Sequence, residues 1–166
     1  MDVSSARKWL PALLLGALVN TGSAELAGSA APDFVLKSMT GTNLRLSEYR
    51  GQVVLVGFWA SWCGECRSQL QGLADLYERY QGAGFELLSL SLDSERRQAS
   101  ETVEAIDVGF PVLYDPDGSV GEEYEVPSMP YVVLIDRDGI VRDEFVGYRK
   151  GDEAQYLERV RALLSE

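Results

Sequence analysis

The sequence predicts an α/β protein with a central mixed sheet flanked by helices on both faces. Three observations predict it: a valine-rich apolar run at 52–59, a helical repeat at 68–80, and a second apolar run at 85–92. A run that is apolar at nearly every position has no polar face to offer water, so 52–59 reads as a strand covered on both sides, at the centre of a sheet. Leu70, Leu73, Ala74 and Tyr77, with charged residues between them, place one apolar stripe on the following helix, and Gly82 and Gly84 end it. Strand, helix and strand of these lengths form a βαβ unit with a right-handed connection.

The remaining elements follow in order. A helix is expected within 94–107, with Ala99, Val103 and Ile106 on one face and Gly109 as the stop, then a short strand at 110–114. Asp115, Pro116, Asp117 and Gly118 form a turn cluster, and Val120 with Tyr124 suggests a short helix after it. Apolar runs at 131–136 and 140–146 flank Arg137-Asp138-Gly139, the pattern of an antiparallel hairpin, which makes the sheet mixed. Asp152 and Gln155 offer a capping box for a last helix whose stripe is Leu157, Val160 and Leu164.

Ahead of these elements, Arg7 and Lys8 precede an apolar run at 9–19 and then Thr21, Gly22, Ser23 and Ala24. Residues 1–24 read as a secretory signal peptide, because the run is shorter than the about 20 residues a spanning helix needs. Cleavage is expected after Ala24, with Ala30 as the fallback. An uncleaved anchor stays open, since Pro11 and the short run do not decide it. No cysteine follows the run to carry a lipid. Residues 25–31 read as a short tether and 32–166 as one domain, in a periplasmic or otherwise extracytoplasmic location.

A chain of 166 residues with 46% hydrophobic content suits one domain and one core. Fifteen basic against 26 acidic residues give a net charge of −11, which becomes −12 when Asp2, Arg7 and Lys8 leave with 1–24. So acidic a surface repels nucleic acid and anionic lipid, and no nucleic-acid partner is expected. No heptads or spare apolar helix argue for more than a monomer.

The two cysteines, Cys63 and Cys66, lie in Trp62-Cys63-Gly64-Glu65-Cys66, where the central strand gives way to the helix. The free N–H groups of a helix's first turn stabilise negative charge, so the Cys63 thiol is expected to ionise easily, with Cys66 in disulfide reach. A purely structural disulfide would gain only about 2 kcal/mol from closing so short a loop. A structural zinc site takes four Cys or His ligands, and two Cys with no His could complete one only between subunits. Inert core thiols would not need Trp62 beside them or a helix start between the strand and Cys66. A reversible redox pair is the reading adopted, with no metal and no cofactor beyond the disulfide itself.

Phe58-Trp59-Ala60-Ser61-Trp62-Cys63, followed by Cys66, resembles the active-site region of the thioredoxin superfamily. Ala31-Pro32-Asp33-Phe34, Leu46-Ser47-Glu48-Tyr49-Arg50-Gly51, and Pro130 before Tyr131-Val132-Val133-Leu134-Ile135-Asp136 resemble the extracytoplasmic TlpA/ResA-like thiol-disulfide oxidoreductases. The likeness covers 31 to about 165 and implies a thioredoxin-like fold. It also implies that Pro130 is a cis-proline facing the cysteines, that its loop offers backbone to an extended substrate, and that Met129 and Trp62 line the substrate groove.

The chain departs from the family on either side of Cys66. Glu65 stands where proline is usual, and Gln69, which cannot titrate, stands where many members hold a buried glutamate. The buried aspartate of thioredoxins is replaced by Gly57. Glu65 beside a thiolate opposes its charge, less so if solvent screens it. Glu65 is therefore a candidate proton relay, set against simple surface variation, and Gln69 a candidate redox-tuning residue.

The resemblance implies a cycle in which Cys63 attacks a substrate disulfide and Cys66 resolves the mixed disulfide. Protein disulfides would be the substrates and a membrane thiol-reductant system the electron source. A disulfide oxidant or isomerase is the alternative, and a non-catalytic thioredoxin-fold binding module the alternative of a different class. Val56 and Ala60 stand where a peroxiredoxin holds proline and threonine or serine, which argues against a peroxidase, and a copper carrier would want a histidine, which the chain lacks.

Overall fold

The structure, a computed structural model, describes residues 26–166. The expected signal peptide lies outside the described residues. Seven strands form one mixed sheet in the order β2-β1-β5-β4-β3-β6-β7. They are β1 (Val35–Ser38), β2 (Asn43–Arg45), β3 (Val53–Trp59), β4 (Phe85–Ser91), β5 (Val112–Tyr114), β6 (Tyr131–Ile135) and β7 (Val141–Val146). The helices are α1 (Cys66–Tyr80), α2 (Arg96–Ile106), α3 (Ser119–Glu123) and α4 (Glu153–Leu164). This is the thioredoxin-like α/β architecture, with β3, β4 and β5 parallel and the outer pairings antiparallel.

All seven residues of β3 are buried, as its unbroken apolar run requires of a strand between two neighbours and two covered faces. Its alternate side chains feed two cores. Val53, Leu55 and Trp59 pack with Leu70 and Leu73 of α1, Ala99 of α2, and Tyr156 and Val160 of α4. Val54, Val56 and Phe58 pack on the other face with Val120 of α3, Tyr124, Phe34 and Leu46. The three long helices thus share one face. The second is closed by α3, the 3-10 turn Leu46–Tyr49 and the segment ahead of β1.

Several details differ from the sequence expectations. Strands β1 and β2 were not expected; they are three to four residues long at the sheet edge, and neither is buried along one whole face. Helix α2 stops at Asp107 rather than Gly109, because Asp107 adopts the left-handed conformation at φ 58° and its N–H bonds to the Val103 carbonyl. The capping box at Asp152 does not form. Asp152 has helical dihedrals, and its carboxylate accepts the Arg149 N–H at 2.7 Å instead. Residues 26–31, read as part of a tether, lie along the hairpin: Gly28 N–H bonds to the Val141 carbonyl and Ala27 N–H to the Glu144 carboxylate. In the hairpin turn the Asp136 carboxylate accepts the N–H groups of Asp138 and Ile140. Gly139 there has φ 80°, and the Arg50 guanidinium lies where a Cβ would stand.

Candidate active site

The site forms where β3 ends and α1 begins, at the carboxyl end of the parallel strands, the usual ligand edge of an open α/β sheet. Cys63 and Cys66 are joined in a disulfide with Cα atoms 5.4 Å apart. Cys66, the first residue of α1, is 1% exposed, whereas Cys63 is half-buried. The Cys66 N–H points at the Cys63 sulfur at 3.2 Å. A helix start needs acceptors for its first N–H groups, and Glu65, at the cap position, makes no side-chain cap bond. The Cys63 sulfur takes that role, so the group that must carry negative charge on reduction already faces a helix donor.

The loop leading to Cys63 is held from β4. Asp93, 1% exposed, accepts the Ser61 N–H with both oxygens at 3.1 and 3.0 Å, the Ser61 hydroxyl at 2.6 Å and the Ser91 hydroxyl at 2.8 Å. Sequence reasoning missed this clamp. A carboxylate directly after an apolar strand was the available signal, but its partner lies 32 residues away.

Gln69 is buried in α1 and donates to the Tyr156 hydroxyl of α4 at 3.1 Å. Burial raises the Tyr156 pKa, and the bond from Gln69 acts against that rise. Glu65 is exposed. Gly57 pairs with Ser89 and Val132 within the sheet, under Leu73 of α1, and brings no acid to the cysteines. The Met129–Pro130 bond is cis. The Pro130 carbonyl accepts the Gly147 N–H at 2.8 Å, which ties the loop to the end of β7.

Trp62 is 69% exposed and, with Met129, lines a groove of about 700 Å3. Leu92, Val126 and Pro127 also line it, as do Glu122 and Glu125 from α3 and the turn after it. Sequence reasoning placed only Trp62 and Met129 there. Among the described residues, no group of three or more His, Cys, Asp or Glu is placed to hold a metal ion, and no helix is long and apolar enough to cross a membrane.

The AhpC/TSA family model matches residues 27–144. The thiol-disulfide oxidoreductase ResA of Geobacillus thermodenitrificans is 34% identical over 140 residues, covering 84% of this chain and 80% of that protein. A crystal structure described as a thiol:disulfide interchange protein DsbE from Chlorobium tepidum is 36% identical, with a TM-score of 0.80 over 83% of this chain and 97% of that one. The exposed lipoprotein thioredoxin Etrx1 of Streptococcus pneumoniae is 27% identical, with a TM-score of 0.69 over 80% and 100% of the two chains. The cysteine pair at the helix start and these relatives together lead to one assignment: the chain belongs to the AhpC/TSA family and is a thioredoxin-fold thiol-disulfide oxidoreductase closely related to the ResA and DsbE proteins.

Proposed function

We propose that the chain is exported and reduces disulfides of extracytoplasmic proteins, with Cys63 as nucleophile and Cys66 as resolving thiol. The observation that carries this is the asymmetry of the pair: the half-buried Cys63 sulfur receives the helix N–H, and Cys66 is closed off. The Cys63 thiolate attacks one sulfur of the substrate disulfide. That S–S bond breaks, a mixed disulfide forms, and the departing substrate thiolate takes a proton from water. Cys66, losing its proton, then attacks the Cys63 sulfur and releases the second substrate thiol. The substrate gains two electrons and the enzyme ends as the Cys63–Cys66 disulfide. A membrane thiol-reductant system returns the two electrons in the same exchange chemistry.

Trp62, Met129 and the Pro130 loop bind the substrate segment in this reading, and Glu65, exposed beside the pair, stands between a proton relay and simple surface variation. Export is supported by the signal-peptide pattern of 1–24 and by the likeness to an exposed lipoprotein. A second reading, an oxidant or isomerase, is favoured by the same Cys66 N–H, since stabilising the Cys63 thiolate stabilises the reduced enzyme. The reduction potential separates the two: a value of about −270 mV supports the reductant, and one of about −120 mV the oxidant. Failure of the chain to exchange with any model disulfide, with a Cys63→Ser variant indistinguishable from it, would remove both.

A further inference from the structure

Asp93 stands two residues beyond β4, is 1% exposed, and meets three hydrogen-bond donors and no cation. One oxygen accepts the Ser61 N–H and hydroxyl, and the other accepts the same N–H and the Ser91 hydroxyl. The Ser91 oxygen in turn accepts the Asp93 N–H at 3.2 Å, which turns its own proton toward the carboxylate. Both carboxylate oxygens are thus acceptors, the arrangement of an anion. The ion pairs among the described residues lie elsewhere, and Arg96, three residues on, gives its guanidinium to the Met39 carbonyl at 2.6 Å. A charge kept from water and from any counter-charge acts over a longer distance than an exposed one.

Ser61 brings that charge close to the reactive cysteine. Its N–H lies 3.0 Å from the carboxylate, and the Cys63 N–H bonds back to the Ala60 carbonyl at 3.1 Å. Residues 60–63 therefore form a tight turn, which puts the Cys63 side chain within ~10 Å of the carboxylate. Two fields oppose each other at the Cys63 sulfur. The Cys66 N–H, 3.2 Å away, favours the thiolate, and the Asp93 charge disfavours it. Glu65 and Arg67 beside the pair, Glu95 ahead of α2, and Glu122 and Glu125 of the groove are exposed, so water screens them. Ser128, Met129 and Pro130 bring no charge.

We propose that Asp93 is a positioning residue for the exchange reaction: it holds the loop before Cys63, and its buried charge destabilises the Cys63 thiolate and so sets the pair as a reductant. Destabilising the thiolate destabilises the reduced enzyme alone, because the disulfide carries no charge. The dithiol then gives up its two electrons and two protons to a substrate disulfide more readily, as the Cys63–Cys66 bond forms and the substrate S–S bond breaks. One charge ~10 Å away, at an effective dielectric constant of about 20, alters an ionisation about tenfold. The inference rests on Cys63 as the nucleophile of the reading above and names what sets the direction of that site.

The test places wild type, Asp93→Asn and Ser61→Ala in glutathione redox buffers and counts dithiol and disulfide enzyme by mass spectrometry after alkylation. Asp93→Asn removes the charge, whereas Ser61→Ala weakens the clamp and leaves the charge in place. Relative to wild type, Asp93→Asn is expected to favour the dithiol about tenfold at about pH 8.5, equivalent to about 30 mV. At about pH 5 the difference falls below about twofold, because Cys63 is there a neutral thiol in both proteins. Ser61→Ala moves the equilibrium less than about twofold at either pH. A shift in Asp93→Asn that is absent, reversed or equal at the two pH values overturns the proposal, as does an equal shift in Ser61→Ala. If circular dichroism shows that Asp93→Asn does not fold, the wild type decides. Its Cys63 alkylation midpoint is expected at about pH 7, in the upper part of the roughly 3.5–7.5 range of activated thiols, and a midpoint of about pH 4 overturns the proposal. A wild type that exchanges with glutathione in neither direction refutes the exchange reading itself, a result distinct from an unshifted equilibrium.

Discussion

Helices α1 and α3 both begin at the carboxyl ends of parallel strands, and their amino termini are closed in opposite ways. At α3 a buried carboxylate, Asp115, takes the N–H groups of Val120 and Gly121. At α1 no carboxylate or hydroxyl caps the helix, and the Cys66 N–H is given to the Cys63 sulfur. The physical device is the same, free helix donors in want of an acceptor. Filled by a permanent carboxylate, it fixes a wall of the groove. Filled by a sulfur that changes oxidation state, it places a reactive group.

The comparison can be broken most sharply at α1. Cys63→Ser is expected to lower disulfide exchange by at least about 1,000-fold, since a hydroxyl at neutral pH offers almost no anion. Cys66→Ala retains the first attack and accumulates a mixed disulfide, seen as a mass increase equal to the bound substrate. If Cys66→Ala proved the inert variant and Cys66→Ala, Cys63→Ser showed no further loss, the roles assigned to the two ends of the pair would be reversed.

At α3 the expected loss is of stability. Asp115→Ala strands two buried N–H groups, and urea unfolding should register a loss of about 2–4 kcal/mol. Burial raises the Asp115 pKa against the opposing bonds from Gly121 and Val120. A carboxyl with a raised folded pKa contributes stability that is full below its unfolded value, 3.8, and is lost as the pH rises through the folded one. An Asp115→Asn variant should therefore gain on the wild type as the pH rises above 3.8. A wild-type advantage over Asp115→Asn that grows with pH would mean that the bonds outweigh burial.

Smaller effects sharpen the contrast within α1. Tyr156→Phe leaves the buried Gln69 donor without its acceptor and should cost about 1–2 kcal/mol by the same unfolding measurement. Glu65→Gln removes an exposed carboxylate beside the pair, so Cys63 alkylation by iodoacetamide should rise less than about twofold at neutral pH. An unchanged pH profile of exchange in that variant would leave Glu65 as surface variation and end its role as a relay.

How legible each part was depends on how far its determinants lie apart in the chain. Strand β3, helix α1 and the β6–β7 hairpin follow from patterns that repeat within a few residues, and the sequence placed them within two residues at each end. The cysteine motif is equally local. Strands β1 and β2 carry three or four residues each, too few for a period to show, and are defined by pairing with each other and with β5. The capping box at Asp152 failed because a competing donor, the Arg149 N–H, reached the same carboxylate. Asp93 looked like an ordinary polar residue, because its partner Ser61 lies 32 residues away, and Gln69 stood out only through the family resemblance, its partner Tyr156 lying on another helix.

What the sequence alone determined is the chemistry: two cysteines at a strand-to-helix junction, an acidic chain, and the periodicities of a mixed sheet with its helices. Those properties are carried by neighbours in the chain, where spacing dictates geometry. Tertiary structure alone decided which cysteine is closed off, that Asp93 clamps the loop before Cys63, and that Glu122 and Glu125 share a groove with Trp62. Each of these joins segments tens of residues apart, and such contacts exist only once burial of the two cores has fixed how the helices and loops sit on the sheet.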